Sequence, residues 1–310
     1  AFIKTCIACS PLRPPQPDAR RPTADPRRPN PEAMMSIFDE PKIDCHNHVF
    51  DPAAFPYRPD TAYRPAGQEI GTALQFRHVM DCYGVRYALA VGPNSGYGTD
   101  SRPLLDAIAR SSSRCKGIAV VPLDIGTKEL AALKAQAIVG IAFNSTIYGV
   151  EHYLHTGDLL ARLADLDMLL QMQSEKDQLA ALHPLLDKSN VRLLIDHCGR
   201  PDIRAGLEQP GFQALLDLGR SGRACVKLSG YAKFSALPHP HEDARRFVAA
   251  LLAAFTPDNC VWGSDWPFVM ATERIDYGPL LKLFESLVPD PAVRKKVLWD
   301  TPCRWFGFPA

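Results

Sequence analysis

Ile43-Asp44-Cys45-His46-Asn47-His48-Val49-Phe50 is the stretch on which the fold and the chemistry turn. An apolar step runs into a His-x-His pair, and on a β-strand residues two apart face the same side. His46 and His48 therefore project into one space, where two imidazoles can hold a metal or polarise a carbonyl oxygen. Asn47 interrupts the apolar alternation, and nine histidines in 310 residues will sometimes fall two apart by chance. The pair gains meaning from what lies downstream.

From Ile37 onward, strand-like apolar runs alternate with helix-like segments. The runs cover 42–46, 85–92, 117–122, 138–144, 168–173, 191–197, 224–229 and 260–264. Between them the 3.6-residue rhythm predicts helices over 72–83, 101–110, 127–136 (from a Thr127 cap), 157–166, 178–188, 211–218 and 242–255, with a closing segment over 291–306. Alternating strands and helices imply parallel strands joined by crossover helices. Eight repeats in about 270 residues match an α/β fold of the (β/α)8 TIM-barrel type. An open doubly wound sheet is the runner-up. Against it, the first strand leads to a histidine pair and a long Pro-rich loop, not a Gly-rich phosphate turn.

Residues 1–35 differ from the rest. From Pro11 to Pro31 they are rich in Pro and Arg with almost no large apolar side chain. Such a segment cannot bury enough surface to offset its ordering entropy, so a disordered tail is expected ahead of one catalytic barrel over 36–310. Ile3–Cys9 is too short, and too interrupted by Lys4, for a secretory h-region. Met34 or Met35 would make a natural start, so the tail reads as a gene-start or expression artefact. The formal net charge of +1 directs the chain toward neither nucleic acid nor a membrane surface, and no apolar run is long enough to span a bilayer. Nine scattered cysteines, most within apolar runs, read as buried thiols in a reducing compartment, hence a cytoplasmic protein. The lone Cys6-x-x-Cys9 reads as chance.

In a (β/α)8 barrel the active site lies at the C-terminal ends of the strands. The polar residues that end the runs are His46 and His48, then Asn94 and Ser95, Asn144, Gln171 and Gln173, His197, Lys227 and Ser229, and finally Asp265. Singly, each has an ordinary explanation. His197 would sit satisfied in a core, Asp265 would cap a turn, Arg200 would pair with Asp202, and Tyr57, Tyr63 and Trp266 would pack. Four groups (His46, His48, His197 and Asp265) at one rim are harder to dismiss, because three imidazoles and a carboxylate can activate water and stabilise an oxyanion. The loop over 51–71, rich in Pro and aromatics, is expected to cover the pocket, with Tyr57 and Tyr63 as substrate contacts.

These residues resemble the amidohydrolase superfamily, in its amidohydrolase 2 branch, and within it the 2-pyrone-4,6-dicarboxylate lactonases and related sugar-acid and muconolactone lactonases. The matching text is Cys45-His-Asn-His-Val-Phe-Asp-Pro52, Phe55-Pro-Tyr-Arg-Pro59, Gly98-Thr-Asp100, Gly140-Ile-Ala-Phe-Asn144, Ile195-Asp-His-Cys-Gly-Arg-Pro-Asp202 and Val261-Trp-Gly-Ser-Asp-Trp-Pro267, in family order from about residue 42 to the C-terminus. The resemblance implies a hydrolase that opens a carboxylated or hydroxylated lactone. It assigns Asp265 as general base, and His46, His48 and His197 to polarise the carbonyl and hold the oxyanion. Arg200 becomes a carboxylate clamp, and Lys233, Tyr63, Asn94 and Gln173 further substrate contacts.

Departures narrow the reading. Where the binuclear members carry a fourth-strand Lys and a fifth-strand His as metal ligands, this chain has Ala142-Phe143-Asn144 and Gln171-Met172-Gln173. A two-metal site is therefore not expected and no cofactor is required. A single divalent ion, zinc or manganese, on His46, His48 and Asp265 is the alternative. The pyrone-dicarboxylate members have an Arg where Ala142 stands, a Tyr near Gln173 and an Arg near Lys233, which implies a lactone with fewer or differently placed carboxylates. A metal-dependent decarboxylase of the same branch, a lactone isomerase and a non-catalytic binding barrel are the competing readings. The expected partner is a small-molecule lactone; the oligomeric state is not legible.

Overall fold

The computed structural model describes residues 36–310. The disordered tail expected over 1–35, with Cys6 and Cys9, lies outside the described residues. Eight strands form one parallel sheet in sequence order: β1 (Lys42–Asn47), β2 (Val85–Val91), β3 (Cys115–Ala119), β4 (Ile138–Asn144), β5 (Leu169–Gln173), β6 (Arg192–Ile195), β7 (Ala224–Leu228) and β8 (Cys260–Trp262). All eight expected strands are present. Between them lie α1 (Ala73–Cys82), α2 (Arg102–Ala109), α3 (Thr127–Ala135), the short α4 (Ser145–Tyr148), α5 (Gly157–Asp165), α6 (Gln178–Lys188), α7 (Pro210–Arg220) and α8 (Arg245–Phe255). They are followed by α9 (Tyr277–Leu287), α10 (Pro291–Lys295) and α11 (Thr301–Phe306), the last two joined through a π turn. This is the expected TIM barrel, a packed core whose open rim is at the strands' C-terminal ends.

One expectation about the helices is corrected, and one helix was not expected. Thr127 is the first residue of α3 and not its cap. Gly126 caps it, with Glu129 reaching back to accept the Gly126 N–H at 2.9 Å. Helix α9 escapes the sequence pattern because Gly278 and Pro279 read as breakers. Both fall in the first turn, where a missing N–H leaves no intrahelical bond unmade, and Leu281, Phe284 and Leu287 behind them are buried.

Two apolar layers hold the barrel. Ile43, Cys45, Leu89, Ile118, Leu169, Leu194, Cys225 and Val261 fill its interior, and Trp305, Phe306 and Phe308 of the C-terminal segment join that cluster. Lys116 of β3 donates to the Phe306 and Gly307 carbonyls, and Arg192 of β6 to that of Trp305, fastening this segment to the strands' N-terminal ends. The second layer, far larger, lies between sheet and helices.

The β1–β8 seam is closed by residues just beyond β8. The Asp265 N–H donates to the His46 carbonyl at 2.7 Å, and the His48 N–H to that of Trp266 at 2.8 Å. The wholly buried Asp44 accepts from the Ser264 N–H and hydroxyl, the Tyr277 hydroxyl and the His46 N–H. Seam and rim are thus one structure, and whatever sits on Asp265 is built on β1. No helix among the described residues is long and apolar enough to cross a membrane.

Candidate active site

Strand β1 carries one extra residue against β2 between Asp44 and Asn47. A bulge of this kind re-aims side chains at a barrel rim. Cys45 packs into the barrel interior and His46 lines the cavity above it. The adjacent Gly263 is required, because a Cβ there would lie 2.6 Å from His46 Cβ. His48 follows the strand, and its Nε2 lies 3.2 Å from that of His46. Strand β6 ends at Ile195, two residues short of expectation, so His197 opens a tight turn over His197–Gly199. His197 and Asp265 both hold positive φ, 50° and 63°, a sparsely populated conformation for such residues that the packed rim maintains.

The result is one carboxylate oxygen surrounded by three imidazoles. Asp265 Oδ1 lies 3.5 Å from His46 Nε2, 3.6 Å from His48 Nε2 and 3.7 Å from His197 Nε2. The other oxygen, Oδ2, is 2.8 Å from Lys233 Nζ. Burial alone would raise the Asp265 pKa, but the charge of Lys233, helped by the surrounding imidazoles, outweighs it and holds the carboxyl well below its usual range. Burial drives His46 down to about 4, with the Lys227 charge adding to it, and drives His197 well below the ordinary imidazole value. The floor of the site is therefore a carboxylate among neutral rings at pH 7 wherever His46 and His197 are concerned.

The far nitrogens are all engaged. His48 Nδ1 is 2.8 Å from the Val91 carbonyl, His197 Nδ1 3.0 Å from Ser229 Oγ, and His46 Nδ1 3.0 Å from Lys227 Nζ. Such outward hydrogen bonds orient each ring and set its tautomer.

The four central groups, together with Arg200, Lys233, Asn94 and Gln173, all line one cavity of about 580 Å³ at the rim. Arg200 does not pair with Asp202. Its Nη2 is 3.0 Å from Glu175 Oε2, also in the wall, and its buried Nε has no partner among the described residues. Tyr63 is placed differently from expectation. It is not part of the wall, and its hydroxyl donates to the Glu69 carboxylate at 2.7 Å. Glu69 in turn accepts the N–H of Met270, which does line the cavity. Tyr57 is tied to the Pro65 carbonyl and likewise stands outside the wall.

Beneath His46 lies a cluster whose assembly strand-end reading does not reveal. Lys227 of β7 is fully buried, and its Nζ is 2.6 Å from Gln171 Oε1, 3.0 Å from Asp196 Oδ1 and 3.0 Å from His46 Nδ1. Gln171 Nε2 donates to Asp196 Oδ2 at 2.8 Å. Asp196 is held strongly acidic: burial opposes ionisation, but Lys227 beside it prevails. Lys227 is visible as a strand-end lysine, but its partners sit on β1, on β5 and just past β6.

The donor spacing bears on a metal. Bonds of about 2.1 Å to a tetrahedral ion put ligand atoms about 3.4 Å apart. Ligand atoms of His46, His197 and Asp265 lie within 4.8 Å of one another, and His48 Nε2 is also near. By distance the site admits a divalent ion, on a set that includes His197 as well as the expected His46, His48 and Asp265. Strands β4 and β5 bring Asn144, Gln171 and Gln173 to the cavity, with neither lysine nor histidine for a second ion.

Comparison with known proteins finds named relatives. A 4-sulfomuconolactone hydrolase of Rhizobium radiobacter is 33% identical over 273 residues, 85% of this chain and 89% of that protein. A 2-pyrone-4,6-dicarboxylate hydrolase of Comamonas testosteroni is 25% identical over 89% of this chain and 93% of its own. Among solved structures, a probable 2-pyrone-4,6-dicarboxylic acid hydrolase of Acinetobacter baumannii, with citric acid bound, superposes with a TM-score of 0.78 at 29% identity, covering 86% of this chain and 99% of that one. The amidohydrolase family model matches residues 43–308, the span that builds barrel and rim alike, and the chain belongs to the amidohydrolase family.

Proposed function

We propose that this enzyme opens the ring of a carboxylated or hydroxylated lactone by attack of water on the ester carbonyl. The observation that carries the reading is the placement of Asp265 Oδ1 within 3.5–3.7 Å of three imidazole nitrogens on the floor of the rim cavity. A water held there is in reach of a carboxylate acceptor and beside N–H donors for a developing oxyanion. Asp265 accepts the proton of the attacking water. Imidazole N–H groups hold the carbonyl oxygen as it gains charge, the tetrahedral adduct collapses, the ring C–O bond breaks, and the leaving oxygen takes up a proton. The named hydrolases among the relatives act on lactones of this kind, which supports the reaction class.

Arg200 and Lys233 are the cations that face the substrate, with Asn94 and Gln173 as neutral contacts. Both cations already have an acidic partner, Glu175 and Asp265, so the wall offers little uncompensated positive charge. That suits a lactone with one acidic group better than a dicarboxylate. A divalent ion held by His46, His197 and Asp265 would supply Lewis-acid polarisation of the carbonyl; the steps above need none. The seven described cysteines are all free, which supports a cytoplasmic setting.

The test is proton release on a panel of pyrone carboxylates, muconolactones and aldonolactones, comparing wild type with Asp265→Asn. The expected result is activity on one class, lowered by about 10²–10⁴-fold in the variant, the range for a removed general base. Silence of the wild type on every class, or full activity of Asp265→Asn, would overturn the reading.

A further inference from the structure

The groups behind and beside His46 decide which of its nitrogens carries the proton. Behind it, Nδ1 faces two partners of opposite kind. Lys227 Nζ, at 3.0 Å, can only donate; Asp196 Oδ1, at 3.3 Å, can only accept. The lysine makes the shorter contact and a hydrogen bond to the ring, and Asp196 Oδ1 has the same ammonium at 3.0 Å. The three ammonium protons also have three acceptors in reach, namely Gln171 Oε1, Asp196 Oδ1 and His46 Nδ1. Were Nδ1 protonated, one proton of a fully buried ammonium would face an N–H, and leaving a buried charged donor unmatched is strongly unfavourable.

Beside it, His48 gives an independent answer. Its Nδ1 is 2.8 Å from the Val91 carbonyl, which can only accept, so Nδ1 carries a proton and the Nε2 of the neutral ring bears a lone pair. That Nε2 lies 3.2 Å from His46 Nε2. Two lone pairs facing each other at that distance repel; one proton between them makes a hydrogen bond. Both sides therefore call for a proton on His46 Nε2. The chain runs in one sense: Lys227 donates to His46 Nδ1, His46 Nε2–H donates to His48 Nε2, and His48 Nδ1–H donates to the Val91 carbonyl.

From this chain we infer that Lys227 is a positioning residue that holds His46 as its Nε2–H tautomer, so that His46 has no free lone pair for a metal ion and meets the substrate as a hydrogen-bond donor once the substrate carbonyl replaces His48 as the acceptor of that proton. The distances around Asp265 admit an ion, but the hydrogen bonds behind His46 close one of its ligand positions. The buried ammonium takes over part of what an ion would supply, a fixed positive charge behind the donor that strengthens its N–H toward a developing oxyanion. What the donor does in catalysis rests on the lactonase reading; its tautomer does not.

The tautomer is read directly from long-range 1H–15N correlations of protein labelled with 15N-histidine, the His46 signals being those lost in His46→Asn. The expected spectrum shows His46 with a protonated Nε2 and a bare Nδ1; a protonated Nδ1 overturns the inference. Lys227→Met adds a second measurement. It is expected to lower kcat by about 100-fold with KM little changed, the scale for weakening one oxyanion donor. Its His46 should shift toward the Nδ1–H form facing Asp196, and on equilibration with zinc followed by gel filtration it should retain the ion where wild type does not. Wild-type protein that retains one zinc per chain through His46 overturns the inference as well. If Lys227→Met does not fold, the wild-type spectrum decides alone. Failure of the lactonase reading would appear separately, as absent proton release in a protein with the expected tautomer.

Discussion

Lys233 Nζ lies 2.8 Å from Asp265 Oδ2, so the carboxylate proposed to accept the water's proton is shared between a lysine on one oxygen and three imidazoles around the other. This pairing keeps Asp265 ionised, and also makes it a weaker base. Its folded pKa lies below the unfolded value, so its ionised form adds stability above about pH 4, and that contribution is lost as pH falls through the folded value. Lys233→Met removes the largest single attraction and must raise the pKa. The acid-side fall of kcat/KM is therefore expected at higher pH in the variant than in wild type. Superimposable acid limbs would show that Lys233 does not govern the base.

Arg200 is clamped by Glu175, and Glu175→Gln should release it. The pair is part-exposed, with side-chain accessibilities of 20% and 34%, so the gain is discounted to about 1 kcal/mol, or about fivefold in KM for an anionic lactone. A neutral aldonolactone provides the control and should show no such change. An equal effect on charged and neutral substrates would mean that Arg200 is not the acid-binding group.

The barrel was legible because its strands are short apolar runs and its helices carry plain 3.6-residue stripes, each local in sequence. The quartet was legible for a related reason: in this fold the polar residue that ends an apolar run marks the rim, and His46, His48, His197 and Asp265 all meet there. What the sequence hides depends on partners far along the chain. Lys227 reads as the end of a strand, and only the folded barrel brings Gln171, Asp196 and His46 to its ammonium. Glu175 carries no pattern and is noticed only through Arg200. An aromatic on a long loop, such as Tyr63, has no periodicity to say which way it faces; in the structure its hydroxyl is bonded to Glu69 and it is not among the wall residues.

A stability prediction falls on a pair outside the cavity wall. Arg294 is 1% exposed and bonds Glu40 through Nε and Nη2 and the Val288 and Pro289 carbonyls through Nη1. Glu40→Ala leaves a guanidinium buried without its carboxylate, which is expected to destabilise by about 3 kcal/mol and lower Tm by about 6–10 °C. Lactone turnover per folded molecule at 25 °C should be unaltered. A Tm change below about 1 °C would mean that the two carbonyls and water satisfy Arg294 unaided.

His197 is held from behind by a glycine. Gly230 follows β7 with φ of +66°, and a Cβ placed there would lie 2.6 Å from His197 Nδ1 and 2.7 Å from its Cβ and Cγ. Nothing at that point is the loose end of a flexible chain, because His197 is buried and its Nδ1 is bonded to Ser229 Oγ. Gly230→Ala must therefore push the imidazole toward Asp265 or break its bond to Ser229, besides adding about 1 kcal/mol of left-handed backbone strain. The expected outcome is a fall in kcat of about tenfold to a hundredfold, the scale for a displaced catalytic group, with a Tm loss of only a few degrees. Ser229→Ala removes the same hydrogen bond without the push, so it separates the two causes. If Gly230→Ala is impaired and Ser229→Ala is not, ring position is what matters; if both turn over lactone like wild type, His197 does not face the reacting carbonyl.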